Sequence, residues 1–448
     1  MVSGLLGPLV TTEAMRRVFA DRARLQRMLD FEAALARGEA AAGIIPAPAA
    51  TAIAARCRAE LLDPEELARA AARAGNVAIP LVEALTALVA RDDPTAARYV
   101  HWGATSQDVQ DTALVLQLRE ALGEVEGSLA ELSAVLAELA SRHRRTVMAG
   151  RTWLQQAQPI TFGLKAAGWL SAIERHRGRL AETRARALVL QLGGAVGTLD
   201  ALGAAGPEVV ARVAEELGLA APDVAWHAQR DRLAEVATTL GLLVGTLGKL
   251  AGDVTLLAQT EVAEAAERAA PGRGGSSAMP QKRNPVAAVV VRAAALRAPG
   301  LVATMLTSMV QEHERGAGGW HAEWETLPEL VALAAGALAR VREIVEGLEL
   351  DPERMRRNLA LAGGTIQAAS VATALAARLG RPAAHGVVAE AAHRAAAEGR
   401  PLREVLLEHE VIRDALTPAE LDAALDPERS IGAAEALVDR VLAARRRG

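Results

Sequence analysis

Three segments combine small, polar and charged residues in a way that suits the handling of carboxylates. His101-Trp102-Gly103-Ala104-Thr105-Ser106-Gln107-Asp108 stands just before a long helical pattern, so its hydroxyls and backbone N–H groups gather at a helix N-terminus. The helix dipole and the free N–H groups favour an anion at such a position; an ordinary Ser/Asp N-cap uses the same residue types. Gly150-Arg151-Thr152-Trp153-Leu154-Gln155-Gln156-Ala157-Gln158-Pro159 is a dense polar stretch ahead of another helix. It reads either as a ligand-contacting segment or as a solvated loop with one packed Trp. Pro271 to Pro285 (PGRGGSSAMPQKRNP) places glycines, two serines and a lysine between long helices, the composition of a loop that closes over a ligand. The Gly-Lys-Ser/Thr spacing of a phosphate-cradling P-loop is absent. A plain flexible linker leaves the Met-Pro-x-Lys-x-Asn-Pro run unexplained.

The elements that must hold these segments are helices. Apolar residues recur at Leu114, Leu118, Leu122, Val125, Leu129, Leu132, Leu136 and Leu139, and again at Leu233, Val236, Leu240, Leu243, Leu247, Leu250, Val254 and Leu257. Steps of three and four put each set on one stripe of a helix. Further helical stretches are expected over about Ile160–Leu190, Pro285–Gln311 and Leu327–Leu348. Helices of this length hide their stripes against each other in a bundle. Aromatic residues make up only 2% of the 448 residues, so the core is filled by Leu, Val and Ala. That composition favours an all-α fold over a β-sandwich. At roughly 150 residues per domain the length suggests about three domains. Breaks near Asp111 and at Asp351-Pro352 divide the chain into residues 1–111, 112–352 and 353–448. The glycine-rich run from Val189 to Leu202 is the one place expected to form a short β-like ribbon.

Several classes are disfavoured. Fifty basic against 54 acidic residues leave a net charge of −4, without the basic excess of a nucleic-acid binder. The single Cys57 makes no intrachain disulfide and no multi-thiolate metal site. MVSGLLGPLV has neither the basic region nor the long apolar run of a signal peptide. Arg292 and Arg297 interrupt the best candidate for a bilayer span. The expectation is a cytoplasmic protein with no membrane or nucleic-acid partner. His143, His176, His385, His393 and His409 lie in polar helical contexts without ligand partners at useful spacing, and His101 either lines the first segment or packs beside Trp102.

Gly275-Ser276-Ser277-Ala278-Met279-Pro280-Gln281-Lys282-Arg283-Asn284-Pro285 resembles the G-S-S-x-M-P-x-K-x-N-P signature of the fumarase/aspartase superfamily. The other two segments fall where that superfamily keeps its remaining signature regions, so the resemblance covers essentially the whole chain. It implies a central long-helix bundle flanked by smaller helical N- and C-terminal domains. It also implies a homotetramer in which each active site is built from three subunits. Within the superfamily the chain is most similar to the bacterial 3-carboxy-cis,cis-muconate cycloisomerases. Leu29–Arg37, Ala74–Val82, Trp226–Arg232, Gln311–Arg315 and Trp320–Thr326 carry that likeness. Those enzymes convert 3-carboxymuconate, a tricarboxylate, to 4-carboxymuconolactone in protocatechuate breakdown.

The resemblance assigns roles residue by residue. Superfamily reactions move a proton at a carbon beside a carboxylate, and charge accumulates as an aci-carboxylate dianion that needs preorganised donors. Ser276 is implied to be the base or proton source, with Ser277 as the second candidate, and Lys282 to stabilise the dianion. Thr105, Ser106, Thr152, Trp153, Gln155, Met279, Asn284, Arg315 and His321 are implied to bind substrate; His321 is either a carboxylate ligand or a structural histidine. No metal and no cofactor are implied. Trp153 is the informative departure, because adenylosuccinate and argininosuccinate lyases carry His in the corresponding G-R-T-H-x-Q pattern. A carboxylate with a pKa of about 4 leaves without being protonated, so an acid there is dispensable; an amine leaving group needs it. Asn76 stands at a second superfamily His position and points the same way. Trp320 and Trp324 occupy positions where adenylosuccinate lyases hold a nucleotide phosphate, while Arg315 still pairs with a carboxylate. The competing readings are a C–N lyase that releases fumarate from adenylosuccinate or argininosuccinate, and a catalytically retired structural oligomer.

Overall fold

Helices form wherever the three- and four-residue apolar spacing recurs. The computed structural model describes residues 4–270, 272, 274, 275, 279 and 281–447. Its long helices are α1 (Asp21–Ala41), α2 (Ser106–Arg142), α3 (Phe162–Ala187), α4 (Asp231–Leu257), α5 (Val286–Thr307) and α6 (Gly319–Glu346). On α2, Leu118, Leu122, Val125, Leu129, Leu132 and Leu136 are buried, and Leu114 at the start of the stripe is half-buried. On α4 all eight residues from Leu233 to Leu257 named above are buried. Each such side chain contributes roughly 1.5–3 kcal/mol by leaving water, which outweighs the few tenths that separate ordinary helix propensities. Shorter helices precede and follow this set, with ends that read directly from the sequence. Asp63 accepts from Glu65 N to open Pro64–Ala74, which closes at Gly75 with φ 83°. Thr417 and Glu420 form a reciprocal capping box at Pro418–Leu425.

The chain forms two compact units. One comprises Met1–Leu129, His176–Leu247 and Val290–Ala339; the other comprises Ala130–Arg175, Gly248–Val289 and Arg340–Gly448. The boundaries between them fall within the long helices.

Among the described residues two short antiparallel sheets accompany the helices: β1 (Val147–Thr152) with β2 (Gln155–Thr161), and β3 (Ala265–Glu267) with β4 (Leu348–Leu350). This corrects the expectation of a ribbon at Val189–Leu202, where the sole pairing is an isolated bridge from Val189 to Ala220. The glycines there serve close approach instead. A Cβ on Gly193 would lie 2.3 Å from the Ala225 side chain, and glycine contributes little to a strand. It also corrects the reading of Gly150–Pro159 as a loop, since this stretch is a β-hairpin. Its two-residue turn is Trp153-Leu154, both left-handed at φ 53° and 65°. Such turns normally announce themselves with Asn-Gly, which explains why this one does not show in the sequence.

By length and composition α4 and α5 are apolar enough to cross a membrane, with Arg292 and Arg297 lying within α5. The same composition is what helices need to pack against each other, and the stripe of α4 is buried in protein.

Candidate active site

The first unit holds a carboxylate with four donors. Asp108 begins the buried stripe of α2 at its first turn and is inaccessible to solvent. Its Oδ1 accepts from Gly193 N at 3.0 Å and lies 2.6 Å from His227 Nε2. Its Oδ2 accepts from Gly194 N at 2.9 Å and from Thr105 N at 3.0 Å. Asp108 N in turn donates to Thr105 O at 2.9 Å, so the bend bearing Thr105 and Ser106 is fixed from both sides. Both residues are half-buried at the start of α2. Gln107 Nε2 donates to His227 O at 2.9 Å and closes the same knot. Arg315 joins it through Nη2, which donates to Ala195 O at 2.7 Å beside the two glycines.

One turn further, Arg230 forms a buried ion cluster. Its guanidinium donates to Asp111 at 2.6 and 3.0 Å and to Glu323 at 3.1 Å, and it lies 5.0 Å from the centre of the Trp226 ring. Burial opposes the charge on Arg230, and Asp111 and Glu323 outweigh it, so the guanidinium stays protonated. Burial pushes the Glu323 carboxyl up, against the pull of Arg230. Trp320 Nε1 donates to Asp111 at 3.0 Å and its ring is buried, which makes Trp320 a structural member of the cluster. His321 is exposed on the next position of α6, with its ring 4.5 Å from that of Trp324.

His101, also in this unit, has a left-handed backbone at φ 56° and sits with Nδ1 2.6 Å from the buried Glu32. Burial pulls its pKa down, but Glu32 outweighs this and the net shift is upward. Packing against Glu32 is therefore the role that the structure adds to the two readings of His101. Asn76 caps Ala78–Ala90 by accepting from Ala78 N and Ile79 N at 3.0 and 3.2 Å.

The second unit presents the other segments. Thr152 and Gln155 pair across the hairpin turn and are exposed, and Trp153 at the tip is 97% exposed. No ionisable side chain stands between Thr152 and Gln155. Arg151 at the base of the turn makes a fork to Glu264, donating at 2.8 and 2.6 Å. Ser276 and Ser277 lie outside the described residues. Among the described residues, Asn284 donates through N and Nδ2 to Gly274 O at 2.9 and 3.0 Å. Lys282 N donates to Met279 O at 3.0 Å, and both side chains are exposed. Lys282, Arg283, Arg268, Asn284 and Glu267 line a cavity of about 180 Å³, and Arg283 is paired there with Glu349 at 2.8 Å. Glu267 is itself buried and spends its oxygens on Ala287 N and Ala288 N at 3.2 and 2.8 Å, capping α5.

Thr105, Ser106 and Arg315 thus share one knot of hydrogen bonds in the first unit, with His321 elsewhere in it. Thr152, Trp153, Gln155, Met279, Lys282 and Asn284 lie in the second. Sequence reasoning missed Asp108, Asp111, His227, Arg230 and Glu323 as a buried network. One signal was available: extending the α2 stripe back from Leu118 by steps of four and three reaches Asp111 and Asp108.

The family model described as lyase matches residues 9–300, and that of the adenylosuccinate lyase C-terminus matches residues 364–441. The chain belongs to the fumarase/aspartase lyase family. Within it, the chain is 58% identical to the 3-carboxy-cis,cis-muconate cycloisomerase of Pseudomonas aeruginosa, over 96% of this chain and 94% of that relative. It is 51% identical to the enzyme of the same name from Bradyrhizobium diazoefficiens, over 98% of each chain. Among solved structures, the 3-carboxy-cis,cis-muconate lactonizing enzyme of Pseudomonas putida superposes with a TM-score of 0.94 at 50% identity, over 99% of both chains. These likenesses within the lyase family span the N-terminus of α2, the hairpin and the loop after β3 alike.

Proposed function

We propose that this chain is a 3-carboxy-cis,cis-muconate cycloisomerase, interconverting 3-carboxy-cis,cis-muconate and 4-carboxymuconolactone in protocatechuate breakdown. The observation that carries the reading is the near-full-length identity of 58% to an enzyme of that name. The hairpin supports it chemically. An amine leaving group needs an acid, and here the tip offers an indole while Arg151 is engaged by Glu264. A substrate carboxylate, with a pKa of about 4, adds and leaves as the anion and needs no such group.

In the lactone-forming direction one substrate carboxylate adds to the conjugated double bond, and the charge moves onto the carboxylate beside the carbon that gains the proton. Lys282, in its cavity, stabilises that dianion, and Ser276, or Ser277 in the second instance, delivers the proton. Thr105 and Ser106 offer their hydroxyls to a carboxylate, as do Thr152, Gln155 and Asn284 with their polar groups. Arg315 pairs with a further carboxylate, Trp153 and Met279 supply apolar contact, and His321 is a candidate carboxylate ligand. The reaction is assigned no metal and no cofactor.

The three-part division at 1–111, 112–352 and 353–448, a cytoplasmic location and a homotetramer with sites shared by three subunits belong to the same reading. Leu242, Val289, Leu296 and Leu306 are exposed along α4 and α5, the apolar surface that association into a shared helical core would cover. The test is an ultraviolet assay of 3-carboxymuconate consumption with identification of the product. Formation of 4-carboxymuconolactone is expected. Fumarate released from adenylosuccinate or argininosuccinate, with no lactone, would overturn the reading in favour of a C–N lyase.

A further inference from the structure

The hairpin tip is exposed and its turn is strained, yet its base is anchored with unusual care. Glu264 is fully buried and its two oxygens take the Arg151 fork at 2.6 and 2.8 Å. Oε1 also accepts from Asn358 Nδ2 at 2.8 Å, and Asn358 Nδ2 reaches Val262 O at 2.8 Å. Asn358 O accepts from Gln156 Nε2 at 2.9 Å, so the second strand of the hairpin is held as well as the first. The backbone is committed to this arrangement: Ala263 takes a left-handed φ of 50°, and Glu264 O accepts from Asp351 N at 3.0 Å. Three residues on, Glu267 caps α5 and its carbonyl accepts from Arg283 Nη2 at 2.7 Å. The segment from Glu264 to Glu267 is thereby fixed at both ends.

We infer that Glu264 is a positioning residue, which orients Thr152, Trp153 and Gln155 through its fork to Arg151. A planar guanidinium held at two points by a buried carboxylate fixes direction as well as distance. Arg151 immediately precedes Thr152, so a tilt of the fork swings the turn. Misplacing a contacting group by about 1 Å costs about 10²-fold in rate. The catalytic part of this inference rests on the reading of the hairpin as a substrate-contacting segment; the geometric part does not.

The experiment separates the two. Glu264→Gln and the double variant Arg151→Gln/Glu264→Gln are prepared with 5-fluorotryptophan, and the Trp153 resonance is assigned by its loss in Trp153→Phe. Glu264→Gln leaves the half-buried Arg151 guanidinium without its counter-charge and is expected to unfold at lower temperature. The double variant removes both charges, so it keeps a thermal midpoint close to wild type. In both, kcat/KM for 3-carboxymuconate is expected to fall about 10²-fold, mostly in kcat, and the Trp153 fluorine line to shift or broaden. The lines of Trp226 and Trp320 should stay in place. A folded double variant with wild-type kcat/KM and an unmoved Trp153 line would overturn the inference. If the wild type does not turn over 3-carboxymuconate, the proposed function fails, and the Trp153 line alone still decides whether Glu264 orients the hairpin.

Discussion

The N-terminus of α2 and the tip of the β1–β2 hairpin both carry candidate substrate contacts, and they are built in opposite ways. At α2 a single buried carboxylate, Asp108, takes Thr105 N, Gly193 N, Gly194 N and His227, so the cradle is rigid before any ligand arrives. At the hairpin the order lies below the contacts, in Arg151, Glu264 and Asn358, while Thr152, Trp153 and Gln155 project into solvent. The difference teaches that preorganisation is reached either by hydrogen-bonding the contact residues themselves or by fixing the base on which they stand. The first costs stability when it is broken; the second costs orientation.

Substitutions in each region sharpen that contrast. Asp108→Ala leaves two glycine N–H groups and His227 without their acceptor, and breaking a buried charged contact costs about 3–5 kcal/mol. Urea unfolding is expected to show that loss, with thermal unfolding falling alongside it. Lys282→Ala should do the reverse. Its side chain is exposed, so the unfolding curve stays put, while turnover of 3-carboxymuconate falls about 10²–10³-fold. Turnover near the wild-type level would remove Lys282 from the mechanism.

An effect of up to similar size, confined to pH above about 4.5, is expected at Glu39 on α1, which tests how far burial alone governs the first unit. Its carboxyl is inaccessible and neither oxygen has a hydrogen-bond partner among the described residues. Burial, with the nearby Glu32, pushes its pKa up from 4.5 to about 9. The unfolded chain releases this proton first, so stability falls as pH rises from about 4.5 towards 9, by at most ~1.4 kcal/mol per unit. Glu39→Gln is therefore expected to unfold at a higher temperature than wild type at pH 8 and at the same temperature at pH 4. A pH-independent difference would contradict this. The smallest change is expected from Trp153→His, where a 97% exposed side chain is replaced. Calorimetry should find the fold unaffected, and an imidazole alone should yield no fumarate from argininosuccinate.

What was legible in the sequence follows from range. The stripes of α2 and α4 show because partners three and four residues apart are enough to define them, and the Gly275–Pro285 signature shows because it is contiguous. The hairpin did not show. Its turn is Trp-Leu rather than Asn-Gly, and Gly150 at its bulge allows Gln158 O an approach that a Cβ, at 2.7 Å, would block. The networks around Asp108 and Glu264 join residues about a hundred positions apart, and no local pattern specifies their pairing. Trp320 illustrates the limit: its type suggested a role in excluding phosphate, whereas its Nε1 is committed to Asp111.

The most direct measurement is a crystal structure of the assembled protein with 4-carboxymuconolactone bound. The Ser276 hydroxyl and the Lys282 ammonium are expected to lie against the acidic carbon and its carboxylate, with Trp153 beside the ring oxygen and no acid within reach of it. A lactone bound with Ser276 and Lys282 remote from that carbon, or with an ionisable side chain poised to protonate the ring oxygen, would contradict it.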